Sequence, residues 1–193
     1  MQKLDRGSLW SLENYAVERD AFRKAVLTHK APRRIKLGAH ATLLFEDFLT
    51  MKYQVQEMLR AERIFEPAAI DEEIDAYNPL IPDGTNWKAT LLLEYPDPDV
   101  RARELARMPG VEHRVWAEVA GRDRVFAIAN EDLDRTNETK TAAVHFLRFE
   151  FDRDTIDAMR AGASITLGID HEVVPYTVTL DDASRAALIA DFD

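Results

Sequence analysis

Residues 45–65, FEDFLTMKYQVQEMLRAERIF, contain neither glycine nor proline and are rich in helix-forming side chains. Leu44, Phe48, Met51, Val55, Met58 and Leu59 fall on one face at the 3.6-residue period. The spacing predicts a long amphipathic helix over about 41–65, with that stripe against a core. Glu62 lies in line with Phe48, Met51 and Val55, so its carboxylate is either paired where the stripe ends or buried with altered acidity. The far face carries Glu46, Tyr53, Glu57 and Arg60, with Gln54 beside them. A helix apolar on one side and mixed on the other touches two things. Glu46, Tyr53, Glu57 and Arg60 are therefore candidate interface residues for a protein partner or a homodimer. The alternative is a solvated face on which Glu57 pairs with Arg60.

The rest of the chain decides what such a helix packs on. Its 193 residues suit one domain spanning 1–193, mainly helical to about 85 and mainly sheet from 86 onward. A 46% hydrophobic content supports a real core and argues against global disorder. The formal net charge of −10 opposes binding to nucleic acid or anionic lipid. The local basic cluster Lys30, Arg33, Arg34 and Lys36 reads as a solvated strand or loop. The absence of cysteine removes disulfides, thiolate metal sites and a cysteine nucleophile. The N-terminus is too polar for a signal peptide and no apolar run reaches membrane-spanning length, so a soluble cytoplasmic protein without membrane contact is expected. Asn137-Glu138-Thr139 matches a glycosylation sequon that has meaning only in a secreted chain.

Turn and cap signals divide the sequence. A helix is expected over 11–30, stopped by Pro32, followed by a short strand over 33–38 closed by Gly38. Pro67 opens a helix that ends near Tyr77, before Asn78-Pro79 and Pro82-Asp83-Gly84. Residues 87–95 read as a strand, and Asp97-Pro98 starts a helix running to Met108. Strands are expected at 111–119 and 124–129, joined through Gly121-Arg122-Asp123 as a hairpin, then a polar loop over 130–141 and a strand over 142–151. A short helix over 154–160, a hairpin of 165–169 with 173–180, and a last helix over 182–191 complete the order. The expected class is α+β: N-terminal helices, one of them long, on a mostly antiparallel or mixed sheet of about five or six strands.

Strand parity also places histidines. His113 shares the apolar parity of 111–119, His145 that of 142–151, and His171 continues that of 165–169. Neutral imidazoles on adjacent strands are plausible ligands of a divalent metal ion, and His145, His171 and His113 with Glu57 or Glu62 form the candidate set, with Glu46 a further carboxylate. Against this, no H-x-H, H-x-x-x-H or E-x-x-H spacing occurs, and a lone histidine on an apolar strand face is ordinarily a core residue bonded to a carbonyl or hydroxyl. Phosphate-binding and nucleophile-elbow motifs are absent, so no catalytic residue is assigned.

The strings FEDFLTMKYQVQEMLRAERIF, AYNPLIPDGTNWKATLLLEY and TAAVHFLRF together resemble an uncharacterised bacterial family, domain of unknown function 3501, over roughly 30–190. Genes of that family lie near those of rubrerythrin-like and iron–sulfur redox proteins, so the resemblance implies a role beside iron or peroxide metabolism. It brings no activity and no catalytic residues. Within its motifs, Glu46, Gln54, Glu57, Arg60, Glu62, Asn78, Lys140 and His145 have side chains suited to chemistry, and each has a structural alternative. Two functions stand side by side: an accessory or binding protein linked to redox metabolism, and a small metal-dependent enzyme or metal-binding protein.

Overall fold

The computed structural model describes residues 2–129, 131 and 140–193. Most of the polar loop expected at 130–141, with the Asn137 sequon, lies outside the described residues.

Helix α1 (Leu12–Lys30) begins where the Ser11 side chain accepts the Asn14 amide, and it runs into a 3-10 turn, Ala31–Arg33, that contains Pro32. Strand β1 (Arg34–Leu37) turns through Gly38, whose φ of +79° suits glycine, into β2 (Ala41–Glu46). Here the structure departs from the expected helix over 41–65. The first six residues of that span, ATLLFE, are a strand, and α2 covers only Phe48–Glu62. Asp47 marks the change: its carboxylate accepts the Thr50 amide while the Thr50 hydroxyl accepts the Asp47 amide, each at 2.9 Å. This reciprocal cap ends the strand and starts the helix in one residue. In β2 the alternation is Ala41, Leu43 and Phe45 inward, with Thr42, Leu44 and Glu46 on the other face.

Helix α3 (Pro67–Tyr77) and a 3-10 turn, Asn78–Leu80, lead to β3 (Asn86–Leu93). Helix α4 (Pro98–Leu105) is capped by Asp97, whose carboxylate accepts the amides of Asp99 and Val100. The strand expected at 111–119 starts late: Val111–Arg114 is a 3-10 turn and β4 is Val115–Val119. The remaining elements are β5 (Val125–Phe126), β6 (Ile128–Ala129), β7 (Val144–Glu150), α5 (Arg153–Arg160), β8 (Ile165–Ile169), β9 (Tyr176–Thr179) and α6 (Asp182–Ile189).

The fold is α+β with two antiparallel sheets, β1-β2-β3-β7-β6 and β5-β4-β8-β9. Residues 125–129, expected as one strand, join both. Val125 and Phe126 pair with β4, Ile128 and Ala129 pair with β7, and between them the Ala127 amide donates to the Val115 carbonyl at 2.8 Å. The inner faces share one core. Leu43, Phe45, Leu91, Leu147 and Phe149 come from the first sheet; Val115, Ala117, Val119, Ile165 and Leu167 come from the second. Trp87 closes one end, edge-on to Phe45 and Phe151 and beside Phe192, with its indole N–H donating to the Leu188 carbonyl at 2.9 Å. An aromatic this size, fully buried with its N–H satisfied, contributes about 3–5 kcal/mol relative to alanine.

A second buried cluster lies among the N-terminal helices: Leu4, Met51, Val55, Leu59, Ile74 and Ile81. The apolar stripe of α2 lines it, as the period requires, and stops at Leu59. Glu62, the last residue of α2, is exposed. None of the helices is long and apolar enough to cross a membrane among the described residues.

Candidate functional site

The three histidines expected to share a site are divided by the fold. His145, fully buried on the inner face of β7, has Nε2 2.8 Å from the Thr141 hydroxyl and 3.0 Å from the Ala142 carbonyl. The same hydroxyl donates to the buried Glu112 carboxylate at 3.4 Å. His113 does not lie on a strand. It is exposed in the turn before β4, so strand parity failed for it because three residues per turn replaced two. His171 sits in the turn between β8 and β9, where its Nδ1 accepts the Val173 amide at 3.2 Å. His113 and His171 do line one open cleft, with Arg114, Asp170 and Glu172, and His145 is not part of it. Among the described residues, no group of three or more histidine, cysteine, aspartate or glutamate side chains is placed to hold a metal ion.

The candidate interface face of α2 is largely taken by α1 of the same chain. The Glu57 carboxylate accepts two hydrogen bonds from Arg19, both 2.7 Å, and one from the Tyr15 hydroxyl at 2.6 Å. Arg19 does the pairing that the helix spacing assigned to Arg60, which is exposed. The Arg19 guanidinium holds the Glu57 carboxyl down to about 2, with the Tyr15 hydroxyl adding to the effect. Burial, then the Glu57 charge, pushes the Tyr15 phenol up. Tyr53 meets the Phe22 ring edge-on at 5.8 Å. Glu46 is not on the helix at all. It ends β2, buried, with Oε1 accepting the Thr90 hydroxyl at 3.2 Å and the Lys30 ammonium 4.0 Å from Oε2.

Two polar arrangements escaped the sequence. In the first, Arg33 is buried and forks onto Asp191 at 2.9 and 2.7 Å. It also donates to the Ala187 carbonyl at 2.8 Å and lies 3.2 Å from Asp47, which itself bonds His29 at 2.5 Å. Burial disfavours the Arg33 charge, and the pull of Asp191 outweighs it. This cluster joins the end of α1, the cap of α2 and the end of α6, and it is a structural clamp.

The second arrangement is a cleft of about 310 Å³ on the outer face of the five-stranded sheet. Its floor follows from alternation: in β3 Trp87, Ala89 and Leu91 point inward and Lys88 outward, and in β7 Leu147 and Phe149 point inward while Phe146 and Arg148 point outward. Lys88 and Arg148 are register partners. Pro79 and Leu80 supply one wall. That wall is held by Asn78, which accepts the Leu4 amide at 2.8 Å and donates to the Leu4 carbonyl at 3.0 Å, while Lys3 donates to the carbonyls of Asn78 and Ile81 at 3.1 and 2.7 Å.

Charge around the cleft is equal in number, Lys88 and Arg148 against Glu131 and Glu150, and uneven in contact. Arg148 forks onto Glu131 at 2.9 and 2.7 Å and also donates to Glu150 at 2.5 Å. Lys88, half-buried beside them, makes no hydrogen bond and no ion pair among the described residues. Burial lowers its ammonium pKa, and Glu131 opposes that shift. Pro79, Leu80 and Phe146 give the cleft apolar surface, and the Lys88 ammonium lies beside it without a direct partner among the described residues. A larger cleft of about 460 Å³ lies along α4 and residues 140–143, and there the Thr141 hydroxyl is already tied to His145 and Glu112.

Comparison with known proteins places the chain in a family. A crystal structure of a novel protein of unknown function from Burkholderia pseudomallei K96243 is similar over 100% of both chains, with 44% identity and a TM-score of 0.94. No curated protein matches the chain. The model of a protein family of unknown function, DUF3501, matches residues 3–192, which extends the likeness through α1 to the N-terminus. The chain therefore belongs to the DUF3501 family.

Proposed function

We propose that this protein is an accessory binding protein whose ligand is a small, largely apolar molecule held in the cleft between the turn at 78–80 and the outer face of β3 and β7. The observation that carries this reading is Lys88, half-buried in a cleft floored by Phe146 and walled by Leu80, with no ion-pair partner among the described residues. The cellular setting we infer is the iron or peroxide redox metabolism implied by the family resemblance, in the cytoplasm. A homodimer is the form we propose for it.

Titration with 1-octanol, followed by backbone amide shifts in NMR spectra, tests the site. Shifts concentrated at 80, 81, 88 and 146–148 support it. Shifts scattered over the surface, or none with either millimolar alcohol or millimolar octanoate, overturn it. Sensitivity of a deletion strain to hydrogen peroxide tests the setting separately: unchanged growth would remove the redox link.

A further inference from the structure

From the pattern of matched and unmatched charge, and resting on the cleft being a ligand site, we propose that its ligand class is a monocarboxylate with an apolar body, the carboxylate pairing with Lys88. The apolar parts of the cleft, Pro79, Leu80 and Phe146, receive a hydrocarbon or ring and reward its burial by roughly 25 cal/mol per Å². They give no partner to a charged head. That partner comes from the sheet. Arg148 is already in contact with two carboxylates, Glu131 on two of its nitrogens and Glu150 on a third, and Glu150 is further held by the Thr85 hydroxyl at 2.5 Å and the Asn86 amide at 3.1 Å. These bonds fix Arg148 and its two carboxylates in place. Lys88 is then the cation available to an incoming group among the described residues that line the cleft.

The sign and size of the ligand charge follow. A cationic head meets the Lys88 ammonium and finds both nearby carboxylates already bonded to Arg148. A neutral head covers the half-buried Lys88 without giving it a partner, which costs part of its hydration. A monoanion gives Lys88 the direct contact it lacks. A phosphate dianion brings a second charge against the Glu131 carboxylate on the same rim and against Glu150 behind Arg148. The selection is for one negative charge, and a carboxylate is the small monoanion whose two oxygens accept from an ammonium while its chain lies along Phe146 and Leu80.

Octanoate, octyl phosphate and 1-octanol share one tail and differ in the head, so they separate the head from the cleft. Each is titrated into wild-type protein, Lys88→Met and Lys88→Arg, with cleft amide shifts as the readout and thermal midpoints confirming that all three proteins are folded. Octanoate is expected to bind wild type more tightly than either comparator, to lose about tenfold or more in affinity in Lys88→Met, and to keep most of it in Lys88→Arg. 1-Octanol is expected to bind Lys88→Met at least as well as wild type. Equal octanoate affinity in wild type and Lys88→Met, or octyl phosphate binding more tightly than octanoate, overturns the carboxylate assignment and leaves the cleft as a site. Failure of all three probes to move the cleft amides overturns the site itself.

Discussion

Arg33 and Asp191 stand 158 positions apart in the chain and meet as a buried, two-point ion pair. The pair ties the 3-10 turn after α1 to the residues just past α6, and through Asp47 it reaches the N-cap of α2. Removing one partner strands the other charge in a site that is 4% exposed, which is far more costly than losing a surface pair.

Arg33→Met is therefore expected to destabilise the protein by about 3–5 kcal/mol. Urea unfolding followed by circular dichroism measures it. The double variant Arg33→Met with Asp191→Leu should lose less than the two single changes summed, because neither charge is then left alone. Additive losses would mean the two side chains act independently.

The bond between Arg19 and Glu57 makes α1 docking sensitive to acid. The Glu57 carboxyl is held at about 2 in the folded protein and returns to an ordinary 4.5 when unfolded, so its contribution is present above the unfolded value. It is lost as pH falls from that value through about 2. Thermal midpoints of wild type should drop across that window more steeply than those of Glu57→Gln, whose side chain keeps the Tyr15 hydroxyl bond but does not titrate. Parallel curves for the two proteins would show that Glu57 does not carry this dependence.

Gly168 faces Trp116 across the β4–β8 ladder, and a Cβ there would lie 2.2 Å from the indole ring. The ring covers the glycine on one side and the Arg124 guanidinium covers the ring at 3.9 Å on the other. Gly168→Ala must displace the indole and should cost about 1–3 kcal/mol. Gly168→Ala in a Trp116→Leu background should cost much less, and comparison of the two melting shifts checks the contact.

Asn78 ties the cleft wall to the N-terminal segment by both halves of its amide. Asn78→Leu removes both bonds and leaves the Leu4 amide and carbonyl to find water, a loss of about 1–3 kcal/mol. Hydrogen exchange at 80 and 81 should rise with it, and 1-octanol binding should weaken even though Asn78 does not line the cleft. Unchanged exchange at those amides would show that the turn is held by other contacts.

The starts of α3, α4 and α6 were legible because each is set by a few neighbouring side chains, Pro67, Asp97 and Asp181. The error over 41–46 has a physical source. Leu44 fits the helical period while Leu43 and Phe45 fit a strand alternation in the same short run, and pairing of β2 with both β1 and β3 decided for the strand. Thr50 three residues after Asp47 was the local sign of the boundary. His113 was misplaced for a similar reason, since a single 3-10 turn before β4 shifts every side chain upstream of Val115 off the strand parity.

The sequence by itself determined the α+β class, the order of most elements, the apolar stripe of α2 ending at Leu59, and the inward face of β7 that buries His145. All of these follow from periodicity and caps, which act over a few residues. Tertiary structure alone decided the clamp of Arg33 on Asp191, the covering of Glu57 by α1, and the cleft around Lys88. A lysine at an alternate strand position reads in sequence as a solvent-facing residue. It becomes part of a site only because Leu4 and Asn78 hold the turn at 78–80 against it and because Glu131 and Glu150 both bond to Arg148. Those contacts join residues tens of positions apart, and no local rule of spacing encodes them.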